Sequence, residues 1–168
     1  MPSPGRGSAP RMDTEENAQT HRRFAVELFN ESWRLLDQPE RSAQDDDELV
    51  HCAHASAYHW LQVGTAANRA RSEWLCARVY ATLGRSASAI RHARRCLSLV
   101  EANPDEVEDW DLPAAHEALA RAHLVAGELD LARVHLDRAR AACAAIADAD
   151  DRIPIEADVE ALSAQLDR

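Results

Sequence analysis

The chain has 168 residues, of which 46% are hydrophobic and only 5% aromatic, and alanine supplies much of the hydrophobic fraction. This length suits one domain with a core and not two, and an alanine-rich composition with few aromatic residues favours helices over strands. The net charge of −10 would repel a phosphate backbone, so we expect no nucleic-acid partner.

The N-terminal segment MPSPGRGSAPR is rich in proline, glycine and serine and has no hydrophobic stretch. We therefore expect residues 1–14 to form a disordered tail and not a signal peptide. No apolar run approaches the roughly 20 residues that cross a bilayer, so no membrane partner is expected. Four widely spaced cysteines without a C-x-x-C pair indicate reduced thiols and a cytoplasmic location.

Seven helices and no strand are predicted from the spacing of apolar residues and from the residues that begin and end helices. The first helix stops at the breaker DQPERSAQ, and the second starts at DDDELV and stops before Gly64. Thr65 and Ser86 are suited to cap the third and fourth helices, with Gly84 between them. Prolines are expected to open the fifth and seventh helices. The predicted single domain, residues 15–168, comprises helical pairs at 15–63, 65–101 and 113–147 and a capping helix at 154–166.

Two segments, WLCARVYATLGRSASAIRHARRCLSL and HEALARAHLVAGELDLARVHLDRARAA, can be aligned with an offset of 43 residues. In both segments, small residues recur where two helices must approach closely, and a glycine ends the first helix. The aligned pairs are Ala77 with Ala120, Tyr80 with His123, Gly84 with Gly127, Ala89 with Ala132, and Cys96 with Ala139.

This spacing resembles the tetratricopeptide repeat (TPR), in which a small residue, an aromatic, a turn glycine and a second small residue follow at these intervals. The resemblance implies an all-α fold of antiparallel helical hairpins stacked as a short TPR-like superhelical array. Glu73 and His116 stand where the repeat has an early tryptophan, and the offset exceeds the usual period because of the connection NPDEVEDWDLP. The segments HASAYHW and RVYATLGR also look like a group of uncharacterised bacterial proteins, which implies no activity.

In this repeat family, the first helix of each hairpin lines a concave groove. Residues 66–95 contain seven arginines and one glutamate, which concentrates positive potential in one region. Guanidinium groups bind carboxylates in bidentate geometry, and a tryptophan ring holds an apolar group or stacks on an arginine. We therefore expect a non-enzymatic interaction module that binds an acidic or C-terminal peptide segment. The resemblance implies that the groove is lined by Arg71, Trp74, Arg78, Glu117 and Arg121.

Two observations leave this interpretation open. Arg71, Arg78 and Arg85 lie seven residues apart, a spacing that also fits a solvated helix face paired with acidic neighbours. The loop EDWDLP places Trp110 among several carboxylates, and it either folds back over the arginine face or anchors the start of the fifth helix.

The segment HCAHASAYHW contains three of the eight histidines. On a helix, His51, His54 and Tyr58 share one broad face with His59 at its edge, and His54 and Tyr58 are the two that we expect to point into a site. A first alternative function is therefore a metal-binding protein or metalloenzyme that uses these three histidines with Glu48, from the single Glu-x-x-His pair. The competing interpretation is that these rings fill helix interfaces.

A second alternative is self-association, in which the tryptophan face is buried in a homodimer that light scattering would detect. The sequence contains no Gly-rich phosphate loop, no G-x-S-x-G elbow and no His-Glu-x-x-His motif. We therefore predict no catalytic residue and no cofactor.

Overall fold

The computed structural model describes residues 14–167, and the expected tail lies outside them except for Thr14, which begins the first helix. Within these residues the chain folds into seven α-helices without a β-strand, which confirms the predicted all-helical class. None of the described helices is long and apolar enough to span a bilayer. The helices are α1 (Thr14–Leu36), α2 (Ala43–Val63), α3 (Ala66–Thr82), α4 (Ser86–Ala102), α5 (Asp111–Val125), α6 (Leu129–Cys143) and α7 (Ala149–Leu166).

Local sequence determines where several helices begin and end. Ser42 before α2 and Thr65 before α3 each form a capping box. In both boxes the hydroxyl accepts from the backbone N–H three residues later, whose side chain accepts in turn from the N–H of the cap. Gly84 and Gly127 follow α3 and α5 with φ of 69° and 74°, values that favour glycine because it has no Cβ.

Two predicted boundaries in the last hairpin are corrected by the structure. Helix α5 begins at Asp111 and not at Pro113, because the first N–H groups of a helix have no partner inside it and a proline in the first turn removes no bond. Helix α6 ends at Cys143 and not at residue 147. A turn follows Cys143 and brings Ile146, which is 1% exposed, into the core.

The start of α7 is also corrected. This helix begins at Ala149, ahead of the predicted start at Pro154, because the side chain of Asp148 accepts a hydrogen bond from the backbone N–H of Asp150 and caps the helix. Pro154 lies inside the helix, where it lacks the N–H that would bond to the preceding turn. The cap outweighs the missing bond in setting where the helix starts.

The helices pack as three hairpins, α1 with α2, α3 with α4, and α5 with α6. Helix α2 packs on α3 and α4 packs on α5, so the second helix of each hairpin lies against the first helix of the next. Helix α3 also contacts α5, and α7 covers α5 and α6 with Val159 and Leu162 buried against Ala120 and Leu136. This arrangement brings α3, α5 and α7 together, and these three helices, with Trp33 of α1, carry the site described below.

Residues 43 positions apart occupy equivalent places in the hairpins α3–α4 and α5–α6. Ala77 and Ala120 are each 1% exposed, and Ala89 and Ala132 are fully buried. In both turns, the N–H of the residue after the glycine donates to the carbonyl five residues before it, at 2.8 and 2.9 Å. The small residues and the turn of the aligned segments therefore recur in three dimensions.

Candidate functional site

Arg78 on α3 holds a carboxylate of its own chain. Its two terminal nitrogens donate to the two carboxylate oxygens of Asp158 on α7, at 2.7 and 2.9 Å. Arg121 on α5 approaches the same carboxylate at 3.4 Å. Burial acts to raise the pKa of Asp158, but the hydrogen bonds and charge of Arg78 and the charge of Arg121 hold it below its ordinary value. Two helices of the predicted groove thus converge on one carboxylate.

A second carboxylate at this site is deeply buried. Glu117 is 2% exposed and accepts from Nε of Arg121 at 2.8 Å, and it also accepts from the Nη2 atom of the same arginine. A carboxylate buried to this extent requires such a partner, because an unpaired charge in the interior is costly. Arg121 therefore serves two carboxylates, and Glu117 sets the orientation of the guanidinium that faces Asp158.

Two tryptophan rings flank the guanidinium of Arg78. Its central carbon lies 5.2 Å from the ring centre of Trp33 on α1 and 5.4 Å from that of Trp74 on α3. The two indole rings are themselves 5.8 Å apart. At these distances the faces of the rings attract the cation, and their bulk restricts where it can hydrogen-bond. Arg78 is thereby held ready for a planar carboxylate.

Arg71 lies at a separate carboxylate. Its Nε and Nη2 atoms donate to the two oxygens of Asp111 at 2.9 and 2.8 Å, and the ring centre of Trp110 lies 4.1 Å from its guanidinium carbon. Asp111 is 3% exposed and also accepts from the backbone N–H of Glu108. The loop EDWDLP therefore folds over Arg71 and also begins α5, so both interpretations that the sequence left open apply.

The predicted anion contacts are thus not free cations. Arg71, Arg78 and Arg121 each bind a carboxylate of this chain, whereas Arg85, the third member of the seven-residue series, is exposed. The pairing with acidic side chains that the alternative interpretation expected is therefore present at Arg71 and Arg78, and the solvated face fits Arg85. A ligand of Arg78 and Arg121 would have to replace Asp158 or bind beside it.

His54 and Tyr58 do not join this site. The Nε2 atom of His54 is 2.8 Å from the hydroxyl of Tyr80, and its ring meets His92 edge-on at 5.4 Å. Tyr80 is two residues from Arg78 on α3, which places their side chains on nearly opposite sides of the helix. Tyr58 is 57% exposed. Burial lowers the pKa of His54, and the charge of a protonated His92 would lower it further.

The histidine segment of α2 does not converge on a metal site. The Nδ1 atom of His59 is 2.8 Å from Nδ1 of His21 on α1, and His51 and Glu48 are exposed. Within residues 14–167, no group of three or more histidine, cysteine, aspartate or glutamate side chains is arranged to hold a metal ion. The geometry therefore gives no support to a metal site formed by His51, His54, His59 and Glu48.

The two aligned hairpins contain equivalent clusters of polar rings that the sequence interpretation missed. In each, two rings stack, with centroids 5.4 Å apart at 12° in the first and 5.6 Å apart at 7° in the second. In the hairpin α3–α4, Oε2 of Glu73 lies 2.6 Å from Nδ1 of His92. In the hairpin α5–α6, Nδ1 of His116 lies 3.2 Å from Nδ1 of His135. The first ring cluster is Glu73, Tyr80 and His92, and the second ring cluster is His116, His123 and His135.

Asp158 and Trp33 are central to the site but were not predicted. Asp158 lies 80 residues from Arg78 in the sequence, in a helix that was expected only to cap the array. Trp33 lies in the first hairpin, where no repeat spacing was recognised. The ring clusters, in contrast, carried a usable signal, because the 43-residue offset also relates Glu73 to His116 and His92 to His135.

Comparisons with known proteins add no assignment. No family model, no curated protein and no solved structure matches the chain. The resemblance to tetratricopeptide repeats stays a prediction, supported by the recurring alanines and turn glycines.

Proposed function

We propose that the chain is a non-enzymatic interaction module, a TPR-like array that binds an acidic or C-terminal segment of a partner protein alongside α3 and α5. The observation that carries the proposal is the convergence of Arg78 and Arg121 on the carboxylate of Asp158. This convergence supports the proposal because a carboxylate of a partner would meet the same two donors in the same geometry.

Helix α7 lies where the partner segment would lie, with Asp158 in the place of the partner's carboxylate. The side chains of Arg78 and Asp158 are 18% and 28% exposed, so solvent reaches the pair. Replacement of Asp158 by another carboxylate exchanges one negative charge for another and leaves neither arginine unpaired. Such an exchange avoids the cost of leaving a buried charge without a partner.

The side chains around Arg78 and Arg121 favour a role in binding a partner's carboxylate over a role limited to neutralising Asp158. Trp33 and Trp74 hold the guanidinium of Arg78, and Glu117 holds that of Arg121. Because these side chains are already ordered, a ligand loses less of its binding energy to fixing them. Arg71 contributes indirectly, since its pairing with Asp111 fixes the wall beside Trp74.

Fluorescence anisotropy with a panel of dye-labelled acidic peptides, each with a free or an amidated C-terminus, tests the proposal. Asp158→Asn should raise the affinity about tenfold, because it removes the internal competitor of the ligand. Arg78→Glu should abolish binding. Arg69→Glu makes the same change of charge at an exposed position of α3 and should weaken binding much less.

The affinity should also fall as the salt concentration rises, because exposed charges are screened. An affinity that is the same in wild type, Asp158→Asn and Arg78→Glu would exclude this site as the peptide-binding groove. A difference between free and amidated peptides would identify the terminal carboxylate as the group that is bound.

A further inference from the structure

Helix α7 is held to the other helices by one of its faces. Val159, Leu162 and Leu166 are buried and pack with alanines and a leucine of α5 and α6. Asp158, which pairs with the arginines of the carboxylate site, directly precedes Val159, and Ile155 packs at the same apolar cluster. Counted from Ile155, the five residues stand at i, i+3, i+4, i+7 and i+11, which places them on one side of the helix.

The opposite face of α7 is exposed to solvent. Ile153 on this face is 61% exposed, and Glu160 is exposed as well. An amphipathic helix that lays one face into a groove, with anchors at i, i+3, i+4 and i+7, is a recurring mode of peptide recognition. The surface under α7 therefore has the shape and the polarity of a groove for a helix.

Ile155 leaves part of this groove unfilled. A cavity of about 110 Å³ remains beside it, lined by the aromatic residues Phe29, Trp74 and Trp110 and by Ala114. Trp74 also flanks the guanidinium of the carboxylate site, so the cavity and that site adjoin. An apolar cavity of about 150 Å³ holds a benzene molecule, so this smaller one has room for the part of an aromatic ring that extends beyond an isoleucine.

The polar groups in the wall of the cavity favour an apolar occupant. Arg71 and Asp111 are joined by two hydrogen bonds of 2.9 and 2.8 Å, so neither offers an unpaired charge. Burial raises the pKa of the Cys96 thiol, which also lines the cavity, and the thiol stays protonated. A charged side chain would lose its hydration here without gaining a partner.

We propose that the partner segment of the carboxylate site is an amphipathic helix that repeats the buried face of α7, with an aromatic residue in the place of Ile155. The inference rests on the proposed function and specifies the partner. Its carboxylate, three residues after the aromatic one, binds Arg78 and Arg121. Aliphatic residues one, four and eight positions further on cover the surface that α7 leaves. The aromatic ring fills the cavity, which favours the partner over α7, a competitor at high effective concentration because it belongs to the same chain.

Synthetic peptides of residues 149–167 test this inference, with binding to the full-length chain measured by fluorescence anisotropy. The chain carries Asp158→Asn, so that its own α7 competes less, whereas the peptides keep the aspartate. A peptide with Ile155→Phe should bind about tenfold more tightly than the native-sequence peptide, because it buries more apolar surface. A peptide with Ile153→Phe, the same change on the exposed face, should bind like the native-sequence peptide.

Two variants of the chain test whether the aromatic ring occupies the cavity. Ala114→Leu fills the cavity and should remove the advantage of the Ile155→Phe peptide, with an unchanged far-UV circular dichroism spectrum as the check on folding. Ile155→Phe in the chain fills the cavity from its own α7, so it should raise the thermal unfolding temperature and weaken binding of the Ile155→Phe peptide about tenfold. An advantage that survives Ala114→Leu, or equal affinities for the three peptides, would overturn the inference.

Failure of the inference is distinguishable from failure of the proposed function. Acidic peptides without apolar residues that bind at least as tightly as the Ile155→Phe peptide, and lose affinity in Arg78→Glu, would overturn the inference and leave the proposed function standing. Peptide binding that Arg78→Glu does not change, or no binding of any peptide, would overturn both.

Discussion

In the first ring cluster His92 faces a carboxylate, whereas in the second ring cluster the equivalent histidine, His135, faces an imidazole. The Nδ1 atom of His92 is 2.6 Å from Oε2 of Glu73, and Nδ1 of His135 is 3.2 Å from Nδ1 of His116. A carboxylate can neutralise a protonated histidine, but a second imidazole can only share one proton with it. The equivalent histidines therefore face groups of different charge, a carboxylate in one hairpin and a second imidazole in the other.

The groups around His135 reinforce this difference. Burial lowers the pKa of His135 to about 4, and the charges of His116, His123, Arg138 and Arg94 act in the same direction. The nearby carboxylate of Glu128 is bound to His123, at 2.6 Å, and not to His135. The two aligned hairpins therefore place their rings alike, while the residue opposite the histidine, Glu73 or His116, differs in charge.

Among the histidines, acid should destabilise the chain most through His135, with further contributions from His54, His59 and His116, whose pKa values are also lowered. His135 titrates near 6.5 when unfolded and near 4 when folded, so the unfolded chain binds the extra proton between these values and stability falls as the pH is lowered through this range. We expect a loss of about 2 kcal/mol, less than the full shift implies because His135 is partly exposed. Urea unfolding at neutral pH and at about pH 4.5 measures this loss.

The equivalent positions supply the control for this measurement. His135→Gln should remove a large part of the dependence of stability on pH between neutrality and about pH 4.5, whereas His92→Gln should keep most of it. Equal slopes in the two variants would show that the two clusters respond alike and that the comparison fails.

Replacing His116 by glutamate should give the second ring cluster the carboxylate that the first ring cluster has. His116→Glu places a carboxylate opposite His135, so the pKa of His135 should rise by about 1 unit or more, equivalent to about 1.4 kcal/mol. An NMR titration of the His135 ring protons measures this directly. His116→Gln adds a neutral side chain of the same shape, and a rise as large as that in His116→Glu would point to lost packing and not to charge.

The smallest expected effect on stability comes from replacing the turn glycine that each of the two hairpins contains. Gly84 and Gly127 have φ of 69° and 74°, and a Cβ at either position would meet no atom within 4 Å. Gly84→Ala and Gly127→Ala should therefore each cost about 1 kcal/mol from backbone conformation alone. Thermal unfolding of the two variants should give the same loss, and a clear inequality would show that the two turns are not equivalent.

The sequence predicted those features that depend on neighbouring residues. The cap at Thr65 and the turn at Gly84 are local, and both appear where they were expected. Helix α7 was misplaced by its proline because the competing cap at Asp148 was overlooked. Both local signals, the cap at Asp148 and the proline at Pro154, are present in the sequence, and the error was to give the proline more weight.

The carboxylate site was only partly predictable. Arg78 and Arg121 were selected through the resemblance to a repeat, but their shared partner Asp158 was not, because no periodicity links it to α3. Whether a lone arginine is free or paired depends on the tertiary contacts of a distant helix. The sequence offers no signal for such a pairing when the partner is one acidic residue among 29.

Acidic side chains of the segment between α4 and α5, and of the first residue of α5, bind residues that are far away in the sequence. Glu106 accepts from the N–H of Ala66 at the start of α3, and Asp109 accepts from the N–H of Ala147 ahead of α7, at 3.0 and 2.8 Å. Asp111 pairs with Arg71. A repeat array normally grows or shrinks by whole units because each unit contacts only its neighbours. Here one loop forms hydrogen bonds at both ends of the two-hairpin stretch α3–α6. Inserting or deleting a hairpin within that stretch would break these bonds, so the loop fixes the number of hairpins in the stretch.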